Sequence, residues 1–208
     1  MSDCNKDKIK DKVNRRLEIY GVIDNKMAIE IIKSLRDIID EDEEIVVRNM
    51  EKTDKYKESL EPVEIYFNSP GGSVNAGCAI LSIMEELEAP VIGHIIGQCA
   101  SMAVYLFLSC DIRTGTRFSQ IAIHGTGYQG LGLTGYLEEM ESIIKADKQL
   151  SRELDSIVLE KTKLTRKELR ESETCLKFFG YKEAKKKGFY TYDAVSYTHL
   201  RAHETRED

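Results

Sequence analysis

The stretch VEIYFNSPGGSVNAGCAILSIMEELEAPVIGHII, residues 63–96, holds the pattern that decides the fold. An apolar segment runs into Pro70 and two glycines, as a strand does when it ends in a tight turn. Ser73 follows at the position of a helix N-cap, and apolar residues then recur at helical spacing until Pro90 ends the helix. A second apolar strand is predicted at 89–96. The order strand, helix, strand predicts a βαβ unit with parallel strands.

The same alternation of strands and helices extends along the chain on both sides of this unit. Further strands are predicted at 15–23 and 119–124, and further helices at 25–40, after Ser101, and at 136–161, 165–172 and 181–187. The charged stretch at 41–60 is interpreted as a surface insertion. Together these elements predict a single α/β domain over residues 1–194, with a largely parallel sheet.

The composition is that of a globular protein of one domain. With 208 residues, 41% of them hydrophobic, the chain can bury a sizeable core. Its net charge of −6 argues against nucleic acid as a partner, and no apolar run approaches the roughly 20 residues that span a membrane. The polar N-terminus does not resemble a signal peptide, so we expect a cytoplasmic protein. Five scattered cysteines without a CxxC pair predict reduced thiols, with no metal site and no cofactor.

The last segment of the chain, residues 195–208, does not continue the pattern of apolar periodicity. Its sequence VSYTHLRAHET resembles the translation of a transposase sequencing adapter. We interpret the segment as an assembly artefact, with a native C-terminus near Ala194. A genuine disordered tail is the alternative.

Two residues outside this tail have the chemistry of a nucleophile and its base. Ser101, in GQCASMAVYLFLSC (97–110), stands where a turn enters an almost entirely apolar helix, either as a helix cap or as a nucleophile. His124 ends the strand SQIAIH and precedes a glycine-rich loop, where the sites of α/β sheets form. His94 lies inside an apolar strand and is interpreted as a packed core or interface histidine. A serine and a histidine that meet can act as nucleophile and general base.

The turn after the strand at 63–69 supplies a further component of such a site. Gly71 and Gly72 allow the main chain to come close to a ligand, and the free N–H groups of the next helix point toward the same place. Amides in this position can stabilise the oxyanion of a tetrahedral intermediate, an effect of about 3 kcal/mol per donor. A plain connection between strand and helix is the alternative.

Three motifs in this order, NSPGGSVNAG, IGQCASM and IAIHGTG, resemble the proteolytic subunit of the Clp protease family over about residues 15–194. The resemblance implies a ClpP/crotonase-like spiral of βαβ units, with a protruding handle helix at 136–161 that joins stacked, heptameric rings of identical subunits. The apolar stripe of that helix is then expected between rings and not within its own domain. The resemblance also implies a serine endopeptidase that cleaves unfolded chains inside a chamber, with an ATP-driven AAA+ unfoldase as a partner.

Carried over by position, the resemblance makes Ser101 the nucleophile and His124 the base. It assigns the oxyanion-hole amides to Gly72 and Met102, and the interval 101 − 72 = 29 matches the layout of the family. Extended substrate is expected to bind as an added β-strand. The residues expected to contact it are four further glycines: Gly71, Gly125, Gly127 and Gly130.

The third member of the family's triad is absent from its usual position. The family has an aspartate where this chain has Leu176, and leucine can neither orient an imidazole nor stabilise its cation. Three alternatives remain: Glu173 takes over the role, a Ser–His dyad acts slowly, or the subunit is catalytically silent and completes a ring. Glu171 is a weaker substitute than Glu173. A hydratase on the related crotonase fold is a further reading, but it does not explain both Ser101 and His124 at peptidase positions.

Overall fold

A computed structural model describes residues 12–50, 52–53, 59–124, 137–174 and 176–192, with the backbone alone at 137–140 and 173–174. Within these residues six strands form one sheet: β1 (Arg16–Ile23), β2 (Val63–Gly72), β3 (Val91–Ala100), β4 (Ile112–Gly115), β5 (Gln120–Ile123) and β6 (Lys177–Gly180). The helices are α1 (Asn25–Met50), α2 (Val74–Met84), α3 (Met102–Leu108), α4 (Leu137–Lys161), α5 (Arg166–Thr174) and α6 (Tyr181–Lys186). None of these helices is both long enough and apolar enough to cross a membrane.

The sheet confirms the predicted α/β class. Its strand order is β1-β2-β3-β5-β6, with β4 also paired to β3, and every pairing is parallel except that of β5 with β6. Because β2, β3 and β5 are parallel, their carboxyl ends meet at one edge of the sheet. The chain leaves these three strands at Gly72, Ala100 and Ile123. The three sequence motifs described above therefore lie at that edge of the sheet.

The core combines the sheet with apolar side chains of the helices, most of them from α1, α2 and α3. Every residue of α3 is buried, which explains why that helix is almost entirely apolar. The ring of Phe107 in α3 packs edge-on against Phe67 of β2, with 5.6 Å between the ring centroids. Full burial of such a side chain stabilises the fold by about 1.5–3 kcal/mol. The position of α3 on the sheet is consequently fixed by packing along its whole length.

The helix predicted at 25–40 is longer than expected, because α1 continues to Met50. The first part of the predicted insertion at 41–60 is thus helical, and no glycine or proline between 25 and 60 would end the helix earlier. Asp42 on this extension is buried, and its carboxylate accepts hydrogen bonds from Arg15, with 2.6 Å between Nη2 and Oδ2. Burial raises the pKa of Asp42, and Arg15 opposes that effect. The ion pair ties the extension of α1 to the start of β1.

The expectation for the apolar stripe of α4 is wrong for the C-terminal half of that helix. Leu154 and Val158 are 3% and 0% exposed and belong to the core of this chain. Earlier in the helix, Ile143 is 40% exposed. An amphipathic helix must bury its apolar stripe, but the sequence does not say against which partner. Among the described side chains of α4, the exposed large apolar residue therefore lies in the N-terminal half of the helix.

Candidate active site

Ser101 occupies a strained turn between β3 and α3. Its backbone φ of 53° makes it the one non-glycine residue with a positive φ in the described part of the chain. Such a conformation costs of order 1–3 kcal/mol and persists where surrounding structure holds it, most often at functional sites. Here the Ser101 N–H donates to Ala122 O at 2.9 Å, which anchors the turn to β5.

The side chain of Ser101 does not act as a helix cap. It precedes α3 at the N-cap position, yet it makes no capping hydrogen bond. Ser73, at the equivalent position before α2, behaves differently: its Oγ accepts a hydrogen bond from the Ala76 N–H at 3.3 Å. The contrast removes the capping role that the sequence left open for Ser101.

His124 lies next to the Ser101 turn because of the register between β3 and β5. Ala100 pairs with Ala122, so the first residues beyond the two strands, Ser101 and His124, leave the sheet at the same edge. Both are half-buried. The structure therefore places the predicted nucleophile and the predicted base at the same edge of the sheet.

The Pro-Gly-Gly turn at the end of β2 packs directly onto Ser101. A Cβ on Gly71 would lie 2.6 Å from the Cβ of Ser101 and 3.0 Å from the backbone N of Met102, so only glycine fits there. Gly71 also has φ = 93°, which favours glycine independently. Met102 begins α3, and first-turn amides have no acceptor within their own helix. Backbone amides of the turn and of α3 thus border the same space beside Ser101.

A residue that the sequence argument passed over, Ser69, holds this turn in place. It is fully buried, its hydroxyl donates to Gly21 O at 2.6 Å, and it accepts from the Gly71 N–H at 3.0 Å. The only sequence signal was a small polar residue inside an apolar strand next to the two glycines. Nothing in that signal revealed its partner on β1.

The thiol of Cys99, two residues before Ser101, does not compete as a nucleophile. It is fully buried, and burial raises its pKa well above the usual value. A thiol reacts as the thiolate, which this environment disfavours. Burial thus disfavours Cys99 as a second candidate nucleophile beside Ser101.

Leu176, where the family resemblance implies an aspartate, follows the register opposite His124. β5 and β6 are antiparallel, and Ile123 pairs with Lys177, so one further step of the register sets Leu176 opposite His124. Residues opposite each other in an antiparallel pair have neighbouring side chains. Leu176 is 48% exposed, and its side chain has no atom that accepts a hydrogen bond from an imidazole. The structure thus offers no carboxylate at this position.

The other predicted site residues are only partly described. Glu173 lies in the last turn of α5, and its side chain is outside the described residues. The predicted substrate-binding glycines Gly125, Gly127 and Gly130 also lie outside them. Glu171 is exposed on α5.

His94 is a packed histidine, as predicted, and it takes no part in the Ser101 turn. It is half-buried, with Nδ1 2.7 Å from Thr114 Oγ1. Its ring stacks on Tyr66 of the neighbouring strand at a centroid distance of 4.8 Å. These contacts lie in the middle of the sheet, away from the carboxyl ends of the strands.

Comparison with known proteins shows which family this chain is similar to. The family model of Clp protease matches residues 10–195. A curated relative is the ATP-dependent Clp protease proteolytic subunit of Bdellovibrio bacteriovorus, which is 35% identical over 99 residues. That match covers 44% of this chain and 46% of the relative, so the chain spans about half the length of the curated relative it matches. Since the family model covers most of the chain, the chain belongs to the Clp protease family.

Proposed function

We propose that this protein is a serine endopeptidase in which Ser101 is the nucleophile and His124 the general base. The observation that carries the proposal is the backbone of Ser101, held at φ = 53° with no capping role for its hydroxyl. Strain of this kind is typical of nucleophiles at strand-to-helix turns. His124 at the end of the adjacent strand is the group that would accept its proton.

In the proposed reaction the Ser101 oxygen attacks the peptide carbonyl carbon, and the hydroxyl proton passes to His124. The carbonyl oxygen becomes an oxyanion, which the N–H groups of Gly72 and Met102 stabilise. His124 then donates the proton to the amine as the C–N bond breaks, which leaves an acyl-enzyme on Ser101. Water, deprotonated by His124, releases the acyl group and restores the serine. Each oxyanion donor is worth about 2.7–4 kcal/mol in enzymes of this type.

Substrate and partners follow from family membership. The substrate is an unfolded or extended polypeptide, which would bind as an added strand beside Gly71, Gly125, Gly127 and Gly130. The chain would assemble into stacked homo-oligomeric rings that contact each other through the N-terminal half of α4. It would receive substrate from an AAA+ unfoldase. The relative's name describes it as the proteolytic subunit of an ATP-dependent protease, which supports such a division of labour. A cytoplasmic location fits this role.

The proposal has to account for Leu176. Loss of the orienting carboxylate costs up to about 10⁴ in rate in a triad protease, because the imidazole then adopts the wrong tautomer. Glu173, close before Leu176 in the chain, is the residue we propose as a substitute. Without it, Ser101 and His124 would act as a slow dyad.

A second candidate function is a catalytically silent subunit whose role is to complete a ring or to bind a partner. The observation that favours it is the register that sets Leu176 opposite His124. In this candidate function the protein has the same fold and assembly but no peptidase activity.

The test is labelling with a fluorophosphonate probe, read by intact mass and by peptide mapping of the assembled protein. The catalytic proposal expects labelling at Ser101 that disappears in Ser101→Ala and in His124→Ala. Ser109→Ala is the matched control, because Ser109 lies at the other end of α3, is half-buried and donates to Tyr105 O at 3.0 Å. It should label like the parent protein. Absence of labelling in folded, assembled protein would sink the peptidase and leave the silent subunit.

A further inference from the structure

Ser69 joins two pieces of backbone that would otherwise be separate. Its hydroxyl stands between the Gly71 N–H, which donates to it at 3.0 Å, and Gly21 O, to which it donates at 2.6 Å. The side chain is fully buried, so both of its hydrogen-bonding roles are met without water. In effect the hydroxyl is inserted into the hydrogen-bonded ladder between β2 and β1.

The hydroxyl of Ser69 coincides with a bulge in β2, where Ser69 and Pro70 lie opposite the single residue Gly21 of β1. The register between β1 and β2 shifts between Tyr20 and Val22, and Gly21 has φ = 78°. A bulge of this type re-aims a strand locally and is frequent next to active sites. Here it leaves a gap in the ladder that the Ser69 hydroxyl fills.

The bonds of the neighbouring amides indicate which way the Gly72 N–H points. The Gly71 N–H faces β1 through Ser69, and the Ser73 N–H faces β1 directly, donating to Ile23 O at 2.8 Å. Successive N–H groups of a strand point to opposite sides. The amide between them, that of Gly72, accordingly faces away from β1, toward β3 and Ser101.

We propose that Ser69 is a positioning residue for the oxyanion hole: it engages the Gly71 N–H and thereby turns the Gly72 N–H toward the carbonyl that Ser101 attacks. The inference rests on the proposed peptidase function. It also selects between the two glycines, because a Gly71 amide bonded to Ser69 is not available to an oxyanion. The glycine turn packs closely against β3 and has little conformational freedom, since a Gly71 Cβ would lie 2.6 Å from Ala100 O.

A second serine in the fold supplies a matched control. Ser119 is 1% exposed, donates to Ile95 O at 2.7 Å and accepts from the Thr116 N–H at 2.8 Å. It therefore makes the same kind of bridge as Ser69 between a turn amide and a neighbouring strand. It stands before β5, whereas His124 follows the opposite end of that strand. Ser119→Ala should lose a similar amount of stability without touching the oxyanion hole.

The experiment compares Ser69→Ala, Ser69→Cys and Ser119→Ala with the parent protein. Peptide hydrolysis gives kcat and KM, and a peptide boronate gives the affinity for a tetrahedral anion. In that adduct the boron accepts a lone pair of the Ser101 oxygen, and the hydroxyl proton passes to His124. Thermal unfolding and the oligomeric state are measured on the same samples.

We expect Ser69→Ala to lower kcat roughly ten- to a hundredfold with KM nearly unchanged. The Gly72 N–H stabilises the transition state and not the ground state, so its misalignment lowers kcat alone. Boronate affinity should fall by the same factor, and Ser69→Cys should lie in between. Ser119→Ala should leave both quantities within about twofold of the parent value.

The inference is overturned if Ser69→Ala keeps full boronate affinity, or if Ser119→Ala loses as much as Ser69→Ala. Should Ser69→Ala fail to fold, Ser69→Cys decides alone, with its folded sites counted by boronate titration. A parent protein that neither binds boronate nor hydrolyses peptide contradicts the proposed function itself. The two failures are distinct, since one appears in the parent and the other only in the variants.

Discussion

The two halves of the candidate site are built in different ways. The turn at Ser101 is strained, and a helix buried over its whole length and a glycine turn at contact distance hold it in place. The edge where β5 meets β6 carries His124, and the residue opposite it is a half-exposed leucine, Leu176. The elements of the first half are all present among the described residues, whereas in the second half the residue opposite His124 carries no carboxylate.

The difference shows which parts of such a site are bound up with the fold. The geometry around Ser101 depends on many buried contacts, so a change there would disturb the core as well as the chemistry. The position opposite His124 is a single exposed side chain, and exposed positions change at little cost in stability. The orienting carboxylate can therefore be lost or relocated while the rest of the site stays intact.

Replacement of Ser101 by glycine should separate chemistry from stability most sharply. Ser101→Gly should abolish fluorophosphonate labelling and peptide hydrolysis, because it removes the nucleophile. It should also raise the free energy of unfolding by about 1 kcal/mol, because glycine adopts a positive φ without strain. Ser101→Ala, measured alongside by denaturant unfolding, should lose the same activity with no gain in stability. Equal stability of the two variants would mean that the turn stores no strain.

The second half of the site can be tested by restoring a carboxylate. Leu176→Asp should raise the rate of Ser101 labelling by up to about 10⁴-fold, because an aspartate opposite His124 would fix its tautomer and stabilise the imidazolium. Phe178→Asp is the matched control. Phe178 is 52% exposed and lies two residues further along, so it shares the face of Leu176 and pairs with Ala122 instead.

The same assay distinguishes the substitutes for the missing aspartate. If Glu173 already orients His124, Glu173→Gln should lower the labelling rate by orders of magnitude, while Glu171→Gln leaves it unchanged. Leu176→Asp would then add little to the parent protein but should rescue Glu173→Gln. Insensitivity to Glu173→Gln combined with a large gain from Leu176→Asp would instead establish a slow dyad.

Much of the first half could be predicted from the sequence because its signals are local. The strand, the two glycines and the N-cap Ser73 follow one another within a few residues, and each restricts the backbone on its own. The role of Ser69 could not be predicted in this way. Its hydroxyl bonds to Gly21, which is 48 positions away in the chain.

The second half was less predictable because its elements are short or depend on distant partners. β6 has four residues, too few for a periodic pattern, and it runs antiparallel in a sheet that is otherwise parallel. The ion pair that anchors the extension of α1 likewise joins two distant residues, Arg15 and Asp42, which are 27 positions apart. The apolar stripe of α4 was recognised, but only the tertiary structure shows that Leu154 and Val158 face the core of this chain.

Crowding at Gly71 gives a prediction on stability. Gly71→Ala should lower the free energy of unfolding by about 2–4 kcal/mol and reduce labelling, because its Cβ would lie 2.6 Å from Ala100 O and from the Cβ of Ser101. Its φ of 93° adds strain for any other residue. Gly180→Ala is the control, since it has φ = −72° and no atom within 4 Å of an added Cβ. Denaturant unfolding should show Gly180→Ala within about 0.5 kcal/mol of the parent, and a similarly mild Gly71→Ala would contradict the packing described for the turn.

The smallest expected effect concerns the helix that leads to Leu176. α5 begins with a capping box, in which Thr165 Oγ1 accepts from the Glu168 N–H at 3.2 Å and Glu168 Oε2 accepts from the Thr165 N–H at 3.0 Å. Lys187 also donates to Glu168, and this hydrogen bond, with those from Thr165, lowers the pKa of Glu168 to about 2. Because the folded pKa lies below the unfolded one, the contribution to stability is present above about pH 4.5 and is lost as the pH falls toward 2.

Hydrogen exchange should reveal this loss as a local event. Between pH 4.5 and 2 the amides of α5 should lose protection, corrected for intrinsic exchange, before those of α3, which is held by apolar burial that does not titrate. In Glu168→Gln the protection of α5 should be lower at pH 5 and should no longer change through this range. Simultaneous loss in α3 and α5 would show that the two regions unfold as one unit. Earlier loss in α5 would show that the segment bearing Glu173 and leading to Leu176 is the more weakly held half of the site.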